Sequence, residues 1–327
     1  MRAIRIERFG PPKVLILKDI EKPEVTPYKI LVKIISAGVN PVDTYIREGF
    51  YINLPSLPFT PGKDAAGIVE SVGEYVTKFK AGDRVFICGR NLEQHGTYAE
   101  YTVAPESNVF PLDDKLSFDE GAALGIAYFT AYRALVIKAK CKAGETVLVH
   151  GASGSVGLAA VQIAKKLDLK VIGTAGTEDG LKLVKESGAD YVLNHKDKDN
   201  IERIYEITHN NGVNIIIEML ANVNLDKDLN FLASKGRVAI VGNRGAIKID
   251  PRKLMGPETE IVGVALFSSS EEEWNETSQA VLDGVKEGWV KPVIDRRYSI
   301  DNVQRAHEDV MSSSGKRGKL VLTIQDP

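Results

Sequence analysis

The sequence predicts an α/β protein with two kinds of domain, one β-rich and one built on a doubly wound parallel sheet. Residues 1–115 hold short apolar runs separated by Gly and Pro, which is typical of a β-rich, partly open barrel. Residues 143–267 alternate apolar strands with amphipathic helices, and this indicates a parallel sheet with helices on both faces. The length of 327 residues also suggests about two domains, at roughly 150 residues each.

Composition and charge exclude several classes of protein. Hydrophobic residues make up 43% and charged residues 26%, as in ordinary globular proteins and unlike disordered chains. The net charge of −2 gives no overall basic field that would attract nucleic acid or an anionic membrane. Two cysteines, outside any C-x-x-C pair, fit a reduced compartment, and the first residues lack a signal-peptide pattern. We therefore expect a cytoplasmic protein without membrane association.

The predicted elements follow in order along the chain. The β-rich part contains predicted strands at residues 2–7, 14–19, 30–37, 65–72, 84–88 and 97–103. A buried helical region is predicted over 121–137. The second part has predicted strands at 146–150, 170–173, 191–194, 213–218, 236–242 and 260–267, and predicted helices at 156–167, 178–187, 201–209 and 225–233. Helices at 270–288 and 301–312 precede a strand at 319–324, which we expect to complete the first domain.

A glycine-rich turn, His150-Gly-Ala-Ser-Gly-Ser-Val-Gly157, connects the first of these strands to a helix. Ala152, Gly154 and Gly157 occupy the three small-residue positions of the dinucleotide-binding fingerprint. The fingerprint needs small residues because the turn is tight, the backbone approaches a pyrophosphate, and the helix packs closely on the strand. The helix N-terminus then offers free N–H groups to the phosphates. The context predicts a Rossmann dinucleotide site; a packing turn without ligand is the alternative.

The end of the next strand discriminates between the two nicotinamide dinucleotides. NAD-binding proteins place an acid there, about 20 residues after the glycines, to bind the ribose hydroxyls. In this chain residues 171–177 read Val-Ile-Gly-Thr-Ala-Gly-Thr, and Glu178 and Asp179 follow in the first turn of a predicted helix. A small uncharged pocket leaves room for a 2′-phosphate, so the sequence favours NADPH. Three side chains are candidate partners of that phosphate: His195, Lys196 and Arg244.

Other strand ends supply further candidate contacts with the cofactor. Residues 239–244, Ala-Ile-Val-Gly-Asn-Arg, end a predicted strand in glycine at the sheet edge where ligands bind in such folds. Asn224 and Phe267 also follow predicted strands, although each alone is more often structural.

The sequence contains no pattern typical of a catalytic metal site. A catalytic zinc needs three protein ligands, and no histidine pairs with a cysteine at ligand spacing. Cys88 and His95 share a loop, but nothing nearby completes a set. We therefore predict no metal, and expect the chemistry to come from the cofactor, with the pocket orienting both reactants.

Several motifs together resemble the zinc-free medium-chain dehydrogenase/reductase family, and within it the zeta-crystallin-type quinone oxidoreductases. The resemblance covers nearly the whole chain. It rests on residues 38–47 (Gly-Val-Asn-Pro-Val-Asp-Thr-Tyr-Ile-Arg), 82–85 (Gly-Asp-Arg-Val), 128–135 (Tyr-Phe-Thr-Ala-Tyr-Arg-Ala-Leu), 173–178 (Gly-Thr-Ala-Gly-Thr-Glu) and 215–225 (Ile-Ile-Ile-Glu-Met-Leu-Ala-Asn-Val-Asn-Leu). In zinc-dependent relatives a Cys ligand stands at the place of Asn40, and Gly-His-Glu at the place of Gly62-Lys63-Asp64.

This resemblance implies a fold, a reaction and a set of site residues. Residues 1–122 and 268–327 would form a GroES-like catalytic domain, and 123–267 a Rossmann NADPH-binding domain. The implied activity is metal-independent reduction of ortho-quinones by NADPH, through one- or two-electron steps. Catalytic positions would be Asn40, Tyr45 and Tyr51. Cofactor-binding positions would be Tyr45, Thr130, Ser153, Gly154, Ser155, Val156, Gly176, His195, Asn224, Val241, Gly242, Asn243, Arg244, Val264, Ala265 and Leu266.

The resemblance also implies partners, and it leaves alternatives open. Members of the family are cytosolic homo-oligomers, commonly tetramers, and zeta-crystallins bind AU-rich RNA. This chain offers no RNA-binding motif, and its basic run at 315–319 is interpreted first as a turn into the last strand. The loop at 88–98 is longer than we expect for the family, which leaves the substrate open. The alternatives are reduction of activated C=C bonds in alkenals, alkenones or enoyl thioesters, and NADPH-sensitive RNA binding.

Overall fold

The computed structural model describes residues 1–90, 92, 94–312, 315 and 317–327, and the chain forms two compact units. Unit 1 comprises Met1–Ile126, Pro292–Ser314 and Lys319–Pro327. Unit 2 comprises Ala127–Lys291 and Gly315–Gly318. Each unit is therefore built from segments that are distant in sequence.

The strands and helices have the following bounds in chain order. The strands are β1 (Arg2–Arg5), β2 (Ile16–Asp19), β3 (Lys29–Val39), β4 (Asp64–Val72), β5 (Arg84–Cys88), β6 (Tyr101–Pro105), β7 (Val109–Pro111), β8 (Thr146–Val149), β9 (Lys170–Ala175), β10 (Tyr191–Asn194), β11 (Val213–Glu218), β12 (Leu232–Ile240), β13 (Glu260–Gly263), β14 (Ile294–Ser299) and β15 (Lys319–Thr323). The helices are α1 (Pro41–Glu48), α2 (Phe118–Gly121), α3 (Gly125–Tyr132), α4 (Ser155–Lys166), α5 (Glu178–Glu186), α6 (Asn200–Ile207), α7 (Ala221–Asp228), α8 (Arg252–Met255), α9 (Glu271–Glu287) and α10 (Val303–Met311).

Unit 1 is β-rich, as the sequence predicts. Its main sheet has the order β14-β15-β3-β4-β5-β7, with β6 also paired to β3, and β1 pairs with β2 in a separate antiparallel ribbon. The C-terminal strand β15 pairs antiparallel with β3, so the last segment completes this unit as expected. Buried aliphatic residues of β1, β3, β4, β5, α10 and β15 form one hydrophobic core.

Helix α1 in unit 1 was not predicted, because its sequence is short and lies between turn residues. Asn40 precedes it in an extended conformation, and the Asp43 carboxylate accepts a hydrogen bond of 2.9 Å from the backbone N–H of Asn40. Pro41 opens the helix, where its missing N–H costs nothing, and Gly49 closes it in the left-handed region at φ 84°. These caps fix the positions of Asn40 and Tyr45.

Unit 2 contains a parallel sheet in the order β10-β9-β8-β11-β12-β13. Numbered from β8, this order is 3-2-1-4-5-6, which is the order of a Rossmann dinucleotide-binding fold. The central strands β8, β9 and β11 are mostly buried, and residues of β8, β9, β11 and β12 pack with α6 and α7 in one core. Among the described residues, no helix combines the length and the apolar character needed to cross a bilayer.

The observed boundary between the units differs from the predicted one at residue 268. Helix α9 belongs to unit 2 rather than to the β-rich unit. The reason is tertiary packing: Trp274 contacts Phe129 with ring centroids 5.0 Å apart, and Glu273 pairs with Arg133 at 2.6 Å. The helix predicted at 225–233 also begins earlier, at Ala221, and its last residues enter β12.

Candidate functional site

The parallel sheet of unit 2 brings most of the predicted cofactor positions to one edge. Strands β8 to β13 run in the same direction, so their carboxyl ends lie along a single edge of the sheet. The segments that follow these ends contain the following predicted positions: Ser153 to Val156 after β8, Gly176 after β9, His195 after β10, Asn224 on α7 after β11, Val241 to Arg244 after β12, and Val264 to Leu266 after β13. Thr130 is buried within α3 and does not follow one of these strands in sequence.

The glycine-rich turn has the conformation that its sequence requires. Gly151 has φ 55°, a left-handed value that favours glycine. A Cβ on Gly157 would lie 2.5 Å from the carbonyl oxygen of Gly151 and 2.6 Å from Cα of Ala152, so only glycine allows α4 to pack this closely. At Gly154, by contrast, a Cβ would have a nearest neighbour at 3.4 Å. Gly154 precedes α4, whose first N–H groups are available to an anion.

The ends of β9 and β10 lie next to each other without an acidic residue. A Cβ on Gly176 would lie 2.6 Å from Nε2 of His195, so these two predicted positions are adjacent. Thr177 caps α5 by accepting a hydrogen bond of 3.2 Å from the Gly180 N–H. Glu178 and Asp179 therefore lie in the first turn of α5, as predicted.

Arg317 is a basic residue at this edge that was not predicted. Its Nη1 lies 2.7 Å from Oδ2 of Asp179, at the start of α5. The neighbouring Gly318 donates its N–H to the carbonyl oxygen of Ser153 at 2.9 Å, so the segment packs on the glycine-rich turn. The sequence, which indicates a turn at 315–319, could not predict the position of Arg317, because its contact with Asp179 joins residues more than 130 positions apart. Lys316 lies outside the described residues.

Three ionisable side chains form a buried cluster beneath the glycine-rich turn, and none of them was among the predicted site residues. Nε2 of His150 lies 2.8 Å from Oδ1 of Asp228 and 3.6 Å from Oε2 of Glu218. Glu218 also accepts a hydrogen bond of 3.2 Å from Nδ2 of Asn224. Burial raises the pKa of Glu218 to about 7, with the charge of His150 opposing this effect and Asp228 reinforcing it.

The remaining strand ends hold the predicted residues through backbone contacts. The N–H groups of Val241 and Gly242 both donate to the Glu218 carbonyl oxygen, at 2.9 and 3.1 Å. A Cβ on Gly242 would lie 2.2 Å from the carbonyl oxygen of Met219, so glycine is required here. The Arg244 N–H donates to Oδ1 of Asn222 at 2.9 Å.

In unit 1, Asn40 is part of a fully buried polar network. Its Oδ1 accepts a hydrogen bond of 2.6 Å from Nζ of Lys319, and its Nδ2 donates to Oδ2 of Asp64 at 2.9 Å. The other oxygen of Asp64 accepts the Ile126 N–H at 2.9 Å. Both polar atoms of the Asn40 amide are thus engaged within the protein. That Asn40 holds the nicotinamide or the substrate oxygen stays a prediction. The contacts of the Asn40 side chain in the structure are with Lys319 and Asp64.

A chain of hydrogen bonds extends from α1 to α10 in unit 1. The Arg47 guanidinium can only donate, so Nδ1 of His307, which is 3.1 Å away, accepts a hydrogen bond from it. Nε2 of His307 then carries the proton and donates to the Tyr98 hydroxyl at 3.3 Å. Tyr98 in turn donates to Oδ2 of Asp43 at 3.0 Å. Burial, together with the charge of Arg47, lowers the pKa of His307 to about 3. Burial raises the pKa of Asp43 to about 6, and the charge of Asp64 adds to this shift.

Tyr45 and Tyr51, the other two predicted catalytic residues, lie on and just after α1. Tyr45 is half-buried, and Tyr51 packs against the core of unit 1, where burial raises its pKa. Phe50 and Ile52 flank Tyr51 and are 83% and 91% exposed. A cavity of about 20 Å³, with room for about one water, is lined in part by Asp43 and Ile46 of α1. Its lining comprises Asp43, Ile46, Pro55, Phe59, Thr60, Pro61, Gly62, Lys63 and Gly96.

The long loop at 88–98 is described only in part, since Asn91 and Glu93 lie outside the described residues. Leu92 is buried in the core of unit 1, and the Gly89 N–H donates to the Lys63 carbonyl oxygen at 2.7 Å. Cys88 is also buried, and burial raises its pKa well above the usual value, so it remains a thiol.

A doubly wound sheet with a glycine-rich turn, combined with a β-rich unit completed by the C-terminal strand, defines the medium-chain dehydrogenase/reductase class. Two family models match the sequence: the alcohol dehydrogenase GroES-like domain over residues 26–114 and the zinc-binding dehydrogenase domain over 155–283. Human quinone oxidoreductase is 50% identical over 325 residues, which covers 99% of this chain and 98% of that protein. The chain belongs to the zeta-crystallin-type quinone oxidoreductases.

Solved structures support the same assignment. The structure of Escherichia coli quinone oxidoreductase complexed with NADPH has a TM-score of 0.88 and 31% identity, covering 99% of this chain and all of that one (100%). An NAD-dependent alcohol dehydrogenase has a TM-score of 0.91 and 30% identity, with 99% of this chain and 100% of the other covered. The predicted fold class, an α/β Rossmann sheet with a GroES-like β-rich domain, is confirmed.

Proposed function

We propose that this protein is an NADPH-dependent quinone reductase, which oxidises NADPH to NADP⁺ and passes the two electrons to quinone, either both to one quinone or one to each of two quinones. Its relatives named as quinone oxidoreductases and the NADPH complex of the bacterial enzyme support this function. The structural observation that carries it is the acid-free end of β9 beside the glycine-rich turn. At this place Arg317 forms an ion pair with Asp179 in the first turn of α5, and the Lys196 side chain approaches Gly176.

The residues at the sheet edge fit a dinucleotide phosphate. The open backbone at Gly154 and the first N–H groups of α4 would hold the pyrophosphate. Gly176 and His195, which are adjacent, would border the adenosine ribose. Arg317 would pair with the 2′-phosphate, which an Asp or Glu at the end of β9 would repel. NADPH, when bound, supplies the hydride.

Arg317 now pairs with Asp179 in an exposed ion pair, and such a pair is worth little. A phosphate carries more charge than a carboxylate and offers three acceptor oxygens. Arg317 could therefore exchange the Asp179 carboxylate for the 2′-phosphate, and this contact would give selectivity for NADPH over NADH.

In unit 1, we propose that Tyr45 and Tyr51 contact the quinone. Both are aromatic residues with a hydroxyl group, so each can stack on a flat ring or donate a hydrogen bond to an oxygen that gains negative charge. Phe50 and Ile52 beside Tyr51 expose apolar surface, which suits an aromatic substrate. Asn40 would act by holding the start of α1, through its bonds to Lys319 and Asp64, rather than by touching the substrate.

The test is cofactor oxidation followed by absorbance. NADPH and NADH are each offered with an ortho-quinone and, in parallel, with an alkenal and an enoyl thioester. Turnover of the quinone with NADPH, and little with NADH, is the expected result. Turnover of the alkenal or thioester alone would retain the cofactor site and overturn the quinone assignment. NADPH binding without turnover of any substrate would overturn the reductase assignment.

We further propose that the protein is a cytoplasmic homo-oligomer, commonly a tetramer in its family. Light scattering on the purified protein measures the mass directly, and a mass equal to that of one 35.7 kDa chain would contradict the proposal. AU-rich RNA is a weaker candidate partner, since the net charge is −2. A gel shift at low salt that NADPH reverses would support it.

A further inference from the structure

The buried cluster of His150, Glu218 and Asp228 lies where three elements of unit 2 converge. His150 directly follows β8, Glu218 ends β11, and Asp228 ends α7. The His150 N–H donates to the Ile217 carbonyl oxygen at 3.0 Å, which ties the two strand ends together. The next residue after His150 is Gly151 of the glycine-rich turn. Neither the proposed quinone reduction nor the proposed NADPH contacts use the carboxylates of this cluster.

We propose that His150, Glu218 and Asp228 bind one divalent cation of the zinc class. One ligand atom from each of the three residues lies within 4.8 Å of the other two. Nε2 of His150 is 2.8 Å from the nearer carboxylate and 3.6 Å from the other. Ligands about 2.0–2.2 Å from a tetrahedral zinc are about 3.4 Å apart, so small side-chain movements suffice to complete the geometry.

Two buried oxygens point to a missing ligand. Oε2 of Glu218 and Oδ2 of Asp228 are buried and have no hydrogen-bond partner. Glu218 is 0% and Asp228 1% exposed, so solvent does not satisfy these atoms. Buried carboxylate oxygens without donors are rare and costly in folded proteins. A cation between them would remove both unpaired acceptors at once.

The charge balance of the cluster points the same way. Two carboxylates face a single imidazole, and the ion pairs of both carboxylates among the described residues are those with His150. With both carboxylates ionised, even a cationic imidazole would leave one net negative charge in a buried place. A divalent cation bound by all three side chains would neutralise both carboxylates.

The Glu218 carboxylate is also held in a fixed orientation, as metal ligands usually are. Its other oxygen, Oε1, accepts hydrogen bonds from the Leu220 N–H and from Nδ2 of Asn224, so Oε2 is directed toward His150. One imidazole and two carboxylates suit zinc, cobalt or manganese better than calcium, which takes six to eight oxygens. The 15% exposed side chain of His150 leaves a side from which water could complete the coordination.

This inference goes beyond the proposed function, because cation binding can be measured without cofactor or substrate. It concerns residues of unit 2, and it differs from the zinc positions of the zinc-dependent relatives, which correspond to Asn40 and Lys63 in unit 1. A cation here would hold the end of β8 and thus the start of the glycine-rich turn. Its expected role is structural.

The experiment measures metal uptake by the intact protein. Protein treated with a chelator is equilibrated with Zn²⁺ or Co²⁺ and freed of excess, and its metal content is determined by mass spectrometry. We expect about one ion per chain, visible absorption of four-coordinate cobalt, and a higher melting temperature with zinc. A content near zero would overturn the proposal, and would mean that a proton shared by the carboxylates fills the site.

Matched variants distinguish this site from an adventitious surface site. Glu218→Gln and Asp228→Asn keep the side-chain shape but remove a charged ligand, and we expect each to weaken uptake at least tenfold and to abolish the zinc-dependent rise in melting temperature. His209→Asn, at an exposed histidine outside the cluster, should behave as wild type. Because folding is checked by the melting temperature without metal, loss of uptake in a folded variant supports the site. Equal uptake by all four proteins would overturn it.

Discussion

The Nζ atom of Lys319 lies 2.6 Å from Oδ2 of Asp64, and both side chains are at most 1% exposed. Lys319 opens the last strand, β15, and Asp64 opens β4, so the pair joins the C-terminal segment to the middle of the sheet. The same ammonium bonds to Asn40 at 2.6 Å. The zinc-dependent relatives carry metal ligands at the places of Asn40 and Lys63. The positively charged side chain of Lys319, which contacts Asn40, therefore lies close to the place where those relatives bind a metal.

Replacement of Lys319 by Met should destabilise the protein strongly. Removal of one partner leaves the Asp64 carboxylate and the Asn40 amide buried without their donor, at a cost of about 3–5 kcal/mol of unfolding free energy. Denaturant unfolding of the variant and of wild type measures the difference. Lys166→Met is the matched control, because Lys166 pairs with Glu287 on the surface, and there we expect a loss of about 1 kcal/mol or less. Equal losses in the two variants would contradict the assigned role of Lys319.

Replacement of Arg317 by Gln should reduce selectivity for NADPH. A lost charge-assisted contact with phosphate is worth about 1.5–3 kcal/mol, so kcat/KM for NADPH should fall by about tenfold to a hundredfold. The value for NADH, which lacks the phosphate, should be unchanged. Steady-state kinetics with both cofactors provides the measurement, and Arg305→Gln, on α10, serves as the control. A parallel fall with both cofactors would show that Arg317 supports the turn rather than the phosphate.

Replacement of Tyr45 by Phe should lower quinone turnover several-fold while the binding of NADPH is retained. The variant keeps the ring and removes only the hydroxyl that we propose donates to the reduced oxygen, and one such hydrogen bond is worth about 0.5–1.5 kcal/mol. Tyr75→Phe is a suitable control, because Tyr75 is exposed and its ring lies against that of Tyr28, with the centroids 4.8 Å apart. Unchanged kinetics in the Tyr45 variant would remove this residue from the catalytic set.

Local sequence signals predicted the strands and the glycine-rich turn at the carboxyl edge of the parallel sheet, whereas the cofactor contacts proposed there stay predictions. The turn at 150–157 and the strand β11 could be predicted from short stretches of sequence. A tight turn needs small residues, and a buried strand needs a run of β-branched apolar residues. The acid-free end of β9 could also be identified from sequence. The site residues in unit 1 depended on family resemblance instead, and their roles stay predictions.

Long-range pairings explain what the sequence could not predict. The cluster of His150, Glu218 and Asp228 joins residues up to 78 positions apart, and no spacing rule connects them. Arg317 reaches Asp179 across 138 positions. The sequence places helix α9 in the β-rich domain, whereas the structure places it in unit 2. The amphipathic pattern of the helix shows that one face is buried but not which surface covers that face.

The stability of the protein should depend on pH through His307. In the folded state its pKa is about 3, because it is buried beside Arg47, whereas an unfolded histidine titrates near 6.5. Between these two values the unfolded chain binds a proton that the folded chain does not, so stability is present above pH 6.5 and is lost as the pH falls. From pH 7 to pH 5 this loss amounts to about 2 kcal/mol, at about 1.4 kcal/mol for each unit below 6.5.

The variant His307→Gln isolates this contribution. A glutamine can accept from Arg47 and donate to Tyr98, as the neutral imidazole does, but it takes up no proton. Asp43 acts in the opposite direction, because its raised pKa of about 6 makes the folded state gain stability on acidification, and it remains in both proteins. Denaturant unfolding at pH 7 and pH 5 should therefore show a loss in wild type that exceeds the loss in the variant by about 2 kcal/mol. Parallel losses in the two proteins would mean that His307 is already protonated in the folded state.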